Sequence, residues 1–133
     1  MRTSVLPGGR DVVETSMKNF LAIYIGTASA MEKSEWSKLP PKEREAREAA
    51  GMKAWMDWGT EFAAAIVDQG APLGKTKRAA AGGVTDIKNT MTGYVIVRAE
   101  SHGAAAKMFE KHPHFTLFPG DSVEIMECLP LPA

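Results

Sequence analysis

Three short segments of the chain carry apolar residues on both faces of the strand that each would form. They lie at Phe20–Ile25, Tyr94–Val97 and Ser122–Leu129. Strands of this kind are typical of sheets that are covered on both sides. The chain has only two long helical patterns, which can cover one face. We therefore predict that the other face needs a partner, and a second copy of the chain is the simplest one.

The stronger helical pattern covers Lys42–Ala65. Apolar residues recur there at helical spacing and form one predicted core stripe: Met52, Trp55, Met56, Gly59, Phe62, Ala63 and Ile66. Trp58 lies off this stripe, where a large aromatic side chain suits a partner surface or a pocket wall. The second helix is predicted to begin after an N-cap at Ser101 and to run to His112, where Pro113 ends it.

Two further strands are predicted, a short one near Ile66–Asp68 and a weak one around Lys77–Ala81. The resulting order is β, α, β, weak β, β, α, β. This order predicts an α+β fold with a ferredoxin-like split βαβ sheet and two helices on one face. Residues 1–16 show no periodicity, and we predict an arm there that docks on the body or across a dimer. Residues 17–133 are then the domain.

Composition narrows the environment and the partners. Sixteen basic and sixteen acidic residues balance in a chain of 133, so no global field favours nucleic acid or an anionic membrane. Cys128 is the only cysteine, which excludes an intrachain disulfide and favours the cytoplasm; we expect it to be a small core residue. No apolar run reaches the roughly 20 residues of a membrane span, and Pro7–Gly9 interrupts any signal peptide.

The segment Gly70–Thr76 partly matches a phosphate-binding loop. That loop needs four residues between its glycines, whereas three separate Gly70 from Gly74, and Pro72 has no N–H to offer a phosphate. We interpret the segment as a turn between strands and expect no bound cofactor.

Five short features resemble the YCII-related family and its relatives with an Asp-Gly-Pro-Phe signature. They are Lys18–Tyr24, Trp55-Met56, Gly70–Gly74, Val84–Asp86 leading to Gly93-Tyr94, and Ser122–Ile125. The resemblance spans about residues 17–129. It implies a ferredoxin-like fold, two copies of which form a dimeric α+β barrel. Most members of this family have no assigned biochemistry.

Two departures from the family pattern concern function. After Thr85-Asp86 the chain continues with Ile87–Asn89, so the Gly-Pro-Phe part of the signature is absent. Some relatives pair a histidine on the first long helix with an aspartate before a proline. Here the first histidine is His102 and the residue before Pro113 is His112, so that pair does not transfer.

The most suggestive cluster is His112-Pro113-His114, because two imidazoles lie two residues apart and histidine titrates near neutral pH. Three interpretations remain open: a metal site, a metal-free polar pocket, and capping of a helix C-terminus, where a histidine interacts favourably with the dipole. A transition metal wants at least a third ligand that the sequence does not nominate clearly, so no metal is assigned.

We predict that the site is lined by His112, His114 and Tyr24, with Trp58 as a wall. Asp68 and Glu127 are weaker members; a carboxylate facing a barrel interior would have a raised pKa and serve as a base. Two classes stay open. One is a cofactor-independent enzyme with a His/acid pair in the barrel cavity, and the alternative is a non-catalytic metabolite-binding or accessory protein.

Overall fold

The computed structural model describes residues 17–132, so the predicted arm at 1–16 lies outside the described residues. Six strands and four α-helices follow one another: β1 Lys18–Ile25, α1 Ala28–Ser34, α2 Pro41–Glu61, β2 Ile66–Pro72, β3 Thr76–Ala80, β4 Gly83–Ile87, β5 Met91–Ala99, α3 His102–Lys107, α4 Pro113–Thr116 and β6 Ser122–Glu127. Single 3-10 turns at Trp36–Lys38 and Ala63–Ala65 flank α2. No helix in the described range is long and apolar enough to cross a membrane.

Four strands form one antiparallel sheet in the order β2-β5-β1-β6. Strand β1 is central, and α2 carries the chain from it to the far edge at β2. This is the ferredoxin-like split βαβ arrangement, so the predicted α+β fold class is confirmed. In its register Phe20 faces Val97 and Glu127, whereas Tyr24 faces Gly93 and Val123.

The hydrophobic core lies on one face of this sheet. It joins alternate residues of the central strands to side chains from α2 and the segment around α3: Phe20, Ala22, Tyr24, Trp58, Val95, Val97, Ala99, Ala105 and Phe109. The helices therefore pack on one face, as predicted. The opposite face carries Leu21, Ile23 and Ile25 of β1 beside Tyr94 and Ile96 of β5, and none of these belongs to that core.

The side of helix α2 that faces the core overlaps the predicted stripe only in part, because Trp55 and Phe62 pack against the core but the stripe methionines do not. Trp58 is only 8% exposed, whereas Met52 is 54% and Met56 is 68% exposed. The Trp58 ring packs on Phe109, and its indole N–H donates a 2.7 Å hydrogen bond to the Met108 carbonyl. Burial of this large ring fixes the rotation of the helix. The prediction that Trp58 lies off the core is therefore wrong.

The segment after β2 contains one strand more than predicted. Strand β3 confirms the weak strand, and β4, which was not predicted, pairs with it as an antiparallel hairpin. Gly83 opens β4 with a φ of 122°, a conformation that glycine adopts at no steric cost. At the end of the sheet Cys128 follows β6 and is exposed, so its predicted core position is wrong.

Edge strand β2 is irregular. Its pairing with β5 shifts register twice, between Ile66 and Asp68 and between Asp68 and Ala71. Gly70 lies at the second shift with a φ of 68°, and a Cβ atom there would lie 1.7 Å from the Tyr94 carbonyl oxygen. The close approach of the two backbones therefore requires glycine at this position.

Candidate functional site

The two histidines of the His-Pro-His motif begin a helix and do not end one. Helix α3 stops at Lys107, five residues before the predicted end, and Pro113 is the first residue of α4. His112 is the N-cap: its Nδ1 accepts a 3.0 Å hydrogen bond from the backbone N–H of His114. Both the C-terminal capping interpretation and the prediction that Pro113 ends the helix are wrong, because proline has no N–H and is well placed in a first turn.

The N-cap hydrogen bond also fixes the tautomer of His112. Because Nδ1 accepts a hydrogen bond from the backbone N–H of His114, the proton of the neutral ring must lie on Nε2. The side chain is fully buried, and this burial, followed by the neighbouring His114, lowers the pKa of His112 to about 4. His112 is therefore neutral at pH 7, and its Nε2–H points to the Tyr24 hydroxyl 3.4 Å away.

Tyr24 lies near the end of β1, where it faces Gly93, and its ring packs between Trp55 and both histidines. Burial raises the pKa of Tyr24 well above its ordinary value, so the phenol stays protonated. Since its oxygen already accepts from His112, the hydroxyl proton is available for a different acceptor. Tyr24 is thus a hydrogen-bond donor and not a base.

His114 has the opposite hydrogen-bonding role to Tyr24, because its second ring nitrogen is an acceptor. Its Nε2 lies 2.7 Å from the Ile25 carbonyl oxygen, which can only accept, so the neutral ring carries its proton on Nε2. Its Nδ1 is therefore an acceptor, and among residues 17–132 it has no hydrogen-bond partner of its own. Gly120 allows this placement, because a Cβ atom there would lie 2.3 Å from the imidazole ring.

Tyr24 and His114 both line a cleft of about 850 Å³ between α2 and the edge of the sheet formed by β2 and β5. Aromatic and thioether side chains form much of its wall: Trp55, Trp58, Phe118, Met52 and Met56. The remaining polar side chains of the lining are Thr60, Gln69 and Thr92, and the described lining contains no Asp, Glu, Lys or Arg.

The structure brings four predicted site residues together, namely Tyr24, Trp58, His112 and His114. Trp58 lines the cleft, and its ring centroid lies 4.8 Å from that of His112. His112 does not line the cleft and contacts it only through its neighbours. The cleft is on the helix-covered face, not on the opposite face that a barrel between two sheets would enclose.

Asp68 and Glu127 lie elsewhere. The exposed Asp68 accepts a 2.8 Å hydrogen bond from the Gly70 N–H and supports the irregular edge of β2. Glu127 faces Phe20, at the other end of β1 from Tyr24, and pairs with Lys18 at 3.2 Å. The predicted contact between a carboxylate and a histidine is therefore not formed by these residues, and the hydroxyl of Tyr24 stands in its place.

Two side chains at the cleft were not predicted as site residues. Trp55 was assigned to the core stripe, yet its ring stands edge-on to His112 with centroids 4.6 Å apart. Phe118 packs against Trp55 at 6.0 Å. The spacing of Trp55 and Trp58 by three residues places both rings on one side of a helix, which is the signal that was available.

The fold and the site define a ferredoxin-like α+β protein with an aromatic cleft beside a buried histidine–tyrosine cluster. Within residues 17–132 no group of three or more His, Cys, Asp or Glu side chains is placed to hold a metal. No family model matches the chain, and no curated protein matches it. Among solved structures the chain is similar to the 5-chloro-2-hydroxyhydroquinone dehydrochlorinase of Burkholderia phenoliruptrix, with 20% identity over 80% of this chain and 89% of that one, and a TM-score of 0.44.

Proposed function

We propose that the protein transfers protons on a small carbonyl compound in the cleft, without a cofactor, as a homodimer of the YCII-like type. The observation that carries this proposal is that two neighbouring side chains of the cleft lining have fixed hydrogen-bonding roles: Tyr24 is a donor and His114 is an acceptor. An acid and a base side by side are what enolisation of a carbonyl compound needs.

The proposed step assigns one role to each side chain. Tyr24 donates a hydrogen bond to the carbonyl oxygen of the substrate. His114 Nδ1 removes a proton from the adjacent carbon, the C–H electron pair forms a carbon–carbon double bond, and the carbonyl electron pair moves to the oxygen. The imidazolium keeps its Nε2–H on the Ile25 carbonyl and returns the proton to carbon in the reverse step.

His112 is a positioning residue in this proposal. Its neutral Nε2–H donates a hydrogen bond to the Tyr24 oxygen, so the hydroxyl proton of Tyr24 is free to bind the substrate. The ring contacts Tyr24, Trp55, Trp58 and Phe109, which hold it in place. Its tautomer is set by the backbone of α4 and not by the substrate.

Exchange of carbon-bound protons tests the proposal directly. In D₂O the protein should speed deuterium incorporation next to the carbonyl of acetone, cyclohexanone or acetophenone, measured by proton NMR. His114→Gln keeps a donor for the Ile25 carbonyl but removes the base, and it should lower the enzymatic rate at least a hundredfold. Tyr24→Phe keeps the ring, removes the donor and should lower the rate about tenfold or more.

A wild-type rate equal to that of folded His114→Gln for every ketone would rule out proton transfer. Saturable binding without exchange would then favour the alternative class, a non-catalytic metabolite-binding protein. Glu127→Gln serves as the matched control, since its pair with Lys18 lies at the other end of β1 and its loss should leave exchange unchanged.

The homodimer in this proposal is supported by the second face of the sheet. Leu21, Ile25 and Ile96 are half-buried there, and Met126 is 44% exposed. An apolar sheet face of this kind is typical of a subunit interface. Light scattering at micromolar concentration should give the dimer mass, and Ile96→Lys should give the monomer mass. A monomeric wild-type protein would contradict the proposal.

A further inference from the structure

The shape and chemistry of the cleft wall restrict the ligand further than the acid–base pair does. Three aromatic rings of the lining form a continuous wall. The ring centroids of Tyr24 and Trp55 are 4.9 Å apart with planes at 53°, and those of Trp55 and Phe118 are 6.0 Å apart at 64°. Rings inclined in this way present faces and edges to a guest, and both arrangements favour another aromatic ring.

Thioethers extend this wall along α2. Met52 and Met56 line the cleft and remain 54% and 68% exposed, so their flexible side chains are free to close over a bound molecule. Methionine sulfur makes favourable contacts with aromatic rings and adapts to their outline. A flat ring gains from these contacts, whereas a puckered saturated ring of the same size gains less.

The cleft differs from a second groove, on the other side of α2, in the charge of the side chains that line it. No Asp, Glu, Lys or Arg lines it among the described residues. A groove of about 920 Å³ on the other side of α2 is instead lined by charged side chains, namely Asp57, Glu61, Lys107, Glu110 and Lys111. An ionic ligand would lose its hydration in the aromatic cleft and meet no opposite full charge there.

We propose that the cleft binds an uncharged aromatic carbonyl compound, with its flat ring against Trp55 and Phe118 and its carbonyl oxygen on the Tyr24 hydroxyl. This inference rests on the proposed function, because it takes the carbonyl from the proton-transfer step and adds the ring and the absence of charge. A cleft of about 850 Å³ lies within the usual range of roughly 300–1,000 Å³ for ligand sites.

Four small probes measured by calorimetry test the ring, the charge and the oxygen separately. Acetophenone carries the ring and the carbonyl, cyclohexyl methyl ketone lacks the aromatic ring, 4-acetylbenzoate adds a negative charge, and ethylbenzene lacks the oxygen. Acetophenone should bind the wild-type protein at least tenfold more tightly than each of the other three. No variant is needed for this comparison, so it does not depend on the folding of a mutant.

Two variants then assign the contacts. Trp55→Leu should weaken acetophenone and leave cyclohexyl methyl ketone nearly unchanged, which brings the two affinities together. Tyr24→Phe should weaken acetophenone about tenfold and leave ethylbenzene unchanged, because only the former has an oxygen for the hydroxyl. Circular dichroism of each variant verifies that it has kept its fold.

Equal or tighter binding of cyclohexyl methyl ketone or 4-acetylbenzoate, or no saturable binding of acetophenone, would overturn the ligand class. If the protein still catalysed proton exchange on acetone or cyclohexanone, the proposed function would remain supported. Conversely, ring-selective binding with no exchange on any ketone would overturn the proton-transfer step and leave the ligand class intact.

Discussion

The two faces of strand β1 are equally apolar in sequence but differ in what surrounds them. Phe20, Ala22 and Tyr24 point to the helices and are at most 5% exposed. On the opposite face Ile23 is 8% exposed, whereas Leu21 and Ile25 on either side of it remain half-buried. The helix-covered face also holds the buried histidines and the cleft, whereas the side chains of β5 directly opposite Leu21 and Ile23 are Ile96 and Tyr94.

This difference shows which parts of the fold supply polar side chains to an otherwise apolar face of the sheet. The polar site groups on the covered face come from a strand end, at Tyr24, and from the start of α4, at His112 and His114. Backbone groups at element ends supply the hydrogen bonds that fix both imidazoles: the His114 N–H in the first turn of α4, and the Ile25 carbonyl at the end of β1, which also accepts from the Asp121 N–H. The side chains of β1 on the opposite face, Leu21, Ile23 and Ile25, are apolar and suit contact with another sheet.

Truncation of one residue on each face should give the largest contrast. Phe20→Ala removes a side chain that is 1% exposed, and we expect a loss of about 3–4 kcal/mol in the free energy of unfolding. Leu21→Ala on the other face should cost only about 1 kcal/mol when measured at a protein concentration low enough to dissociate the proposed dimer. Urea denaturation at two protein concentrations measures both. Similar losses at low concentration would remove the distinction between the faces.

Acidification should weaken the covered face through His112. Its pKa is about 4 in the folded protein, whereas a histidine in the unfolded chain takes up a proton near pH 6.5. Between these values the unfolded state binds more protons, so stability falls as the pH is lowered, by roughly 3 kcal/mol from pH 7 to pH 4. The loss levels off at about pH 3, where His112 is protonated in both states.

His112→Asn is the matched variant for this prediction, because asparagine also accepts a hydrogen bond at an N-cap but does not titrate. Denaturation measured at several pH values should show a shallower loss of stability in the variant between pH 6.5 and 4. An unchanged slope would mean that another group governs the acid sensitivity of the fold.

Glu127→Gln should have the smallest effect, although Glu127 lies on the same covered face as Tyr24. Its carboxylate pairs with Lys18, whose side chain is 58% exposed, and exposed ion pairs contribute little. We expect thermal denaturation to show a loss below about 0.5 kcal/mol. A much larger loss would indicate that the far end of β1 is more strongly coupled to the core than its exposure suggests.

Much of the fold was predictable from local signals. The apolar runs located β1, β5 and β6, and the Ser101 N-cap is confirmed by its 3.0 Å hydrogen bond from Ala104. Strand β4 was missed because Gly82-Gly83 is typical of a loop, and only pairing with β3 makes the segment extended. The rotation of α2 was predicted only in part, since it depends on Trp58 packing against Phe109, which is 51 residues away in the chain.

The site was predictable only in part, for a similar reason. Chemical type alone nominated Tyr24, His112 and His114, and the fold brings them together. It does not bring Asp68 or Glu127 to them, because register and edge geometry decide where a strand carboxylate lies. The polarity of each histidine was beyond sequence reasoning, since it follows from a backbone N–H in one case and a backbone carbonyl in the other.

The irregular edge at Gly70 affects the tendency of the protein to aggregate. Strand β2 is an outer strand of the sheet, and a straight outer strand offers a row of unpaired amides on which foreign strands can grow. The two register shifts and the left-handed Gly70 interrupt that row. The irregular edge thus acts as a barrier to fibrous aggregation, which a regularised β2 would lack.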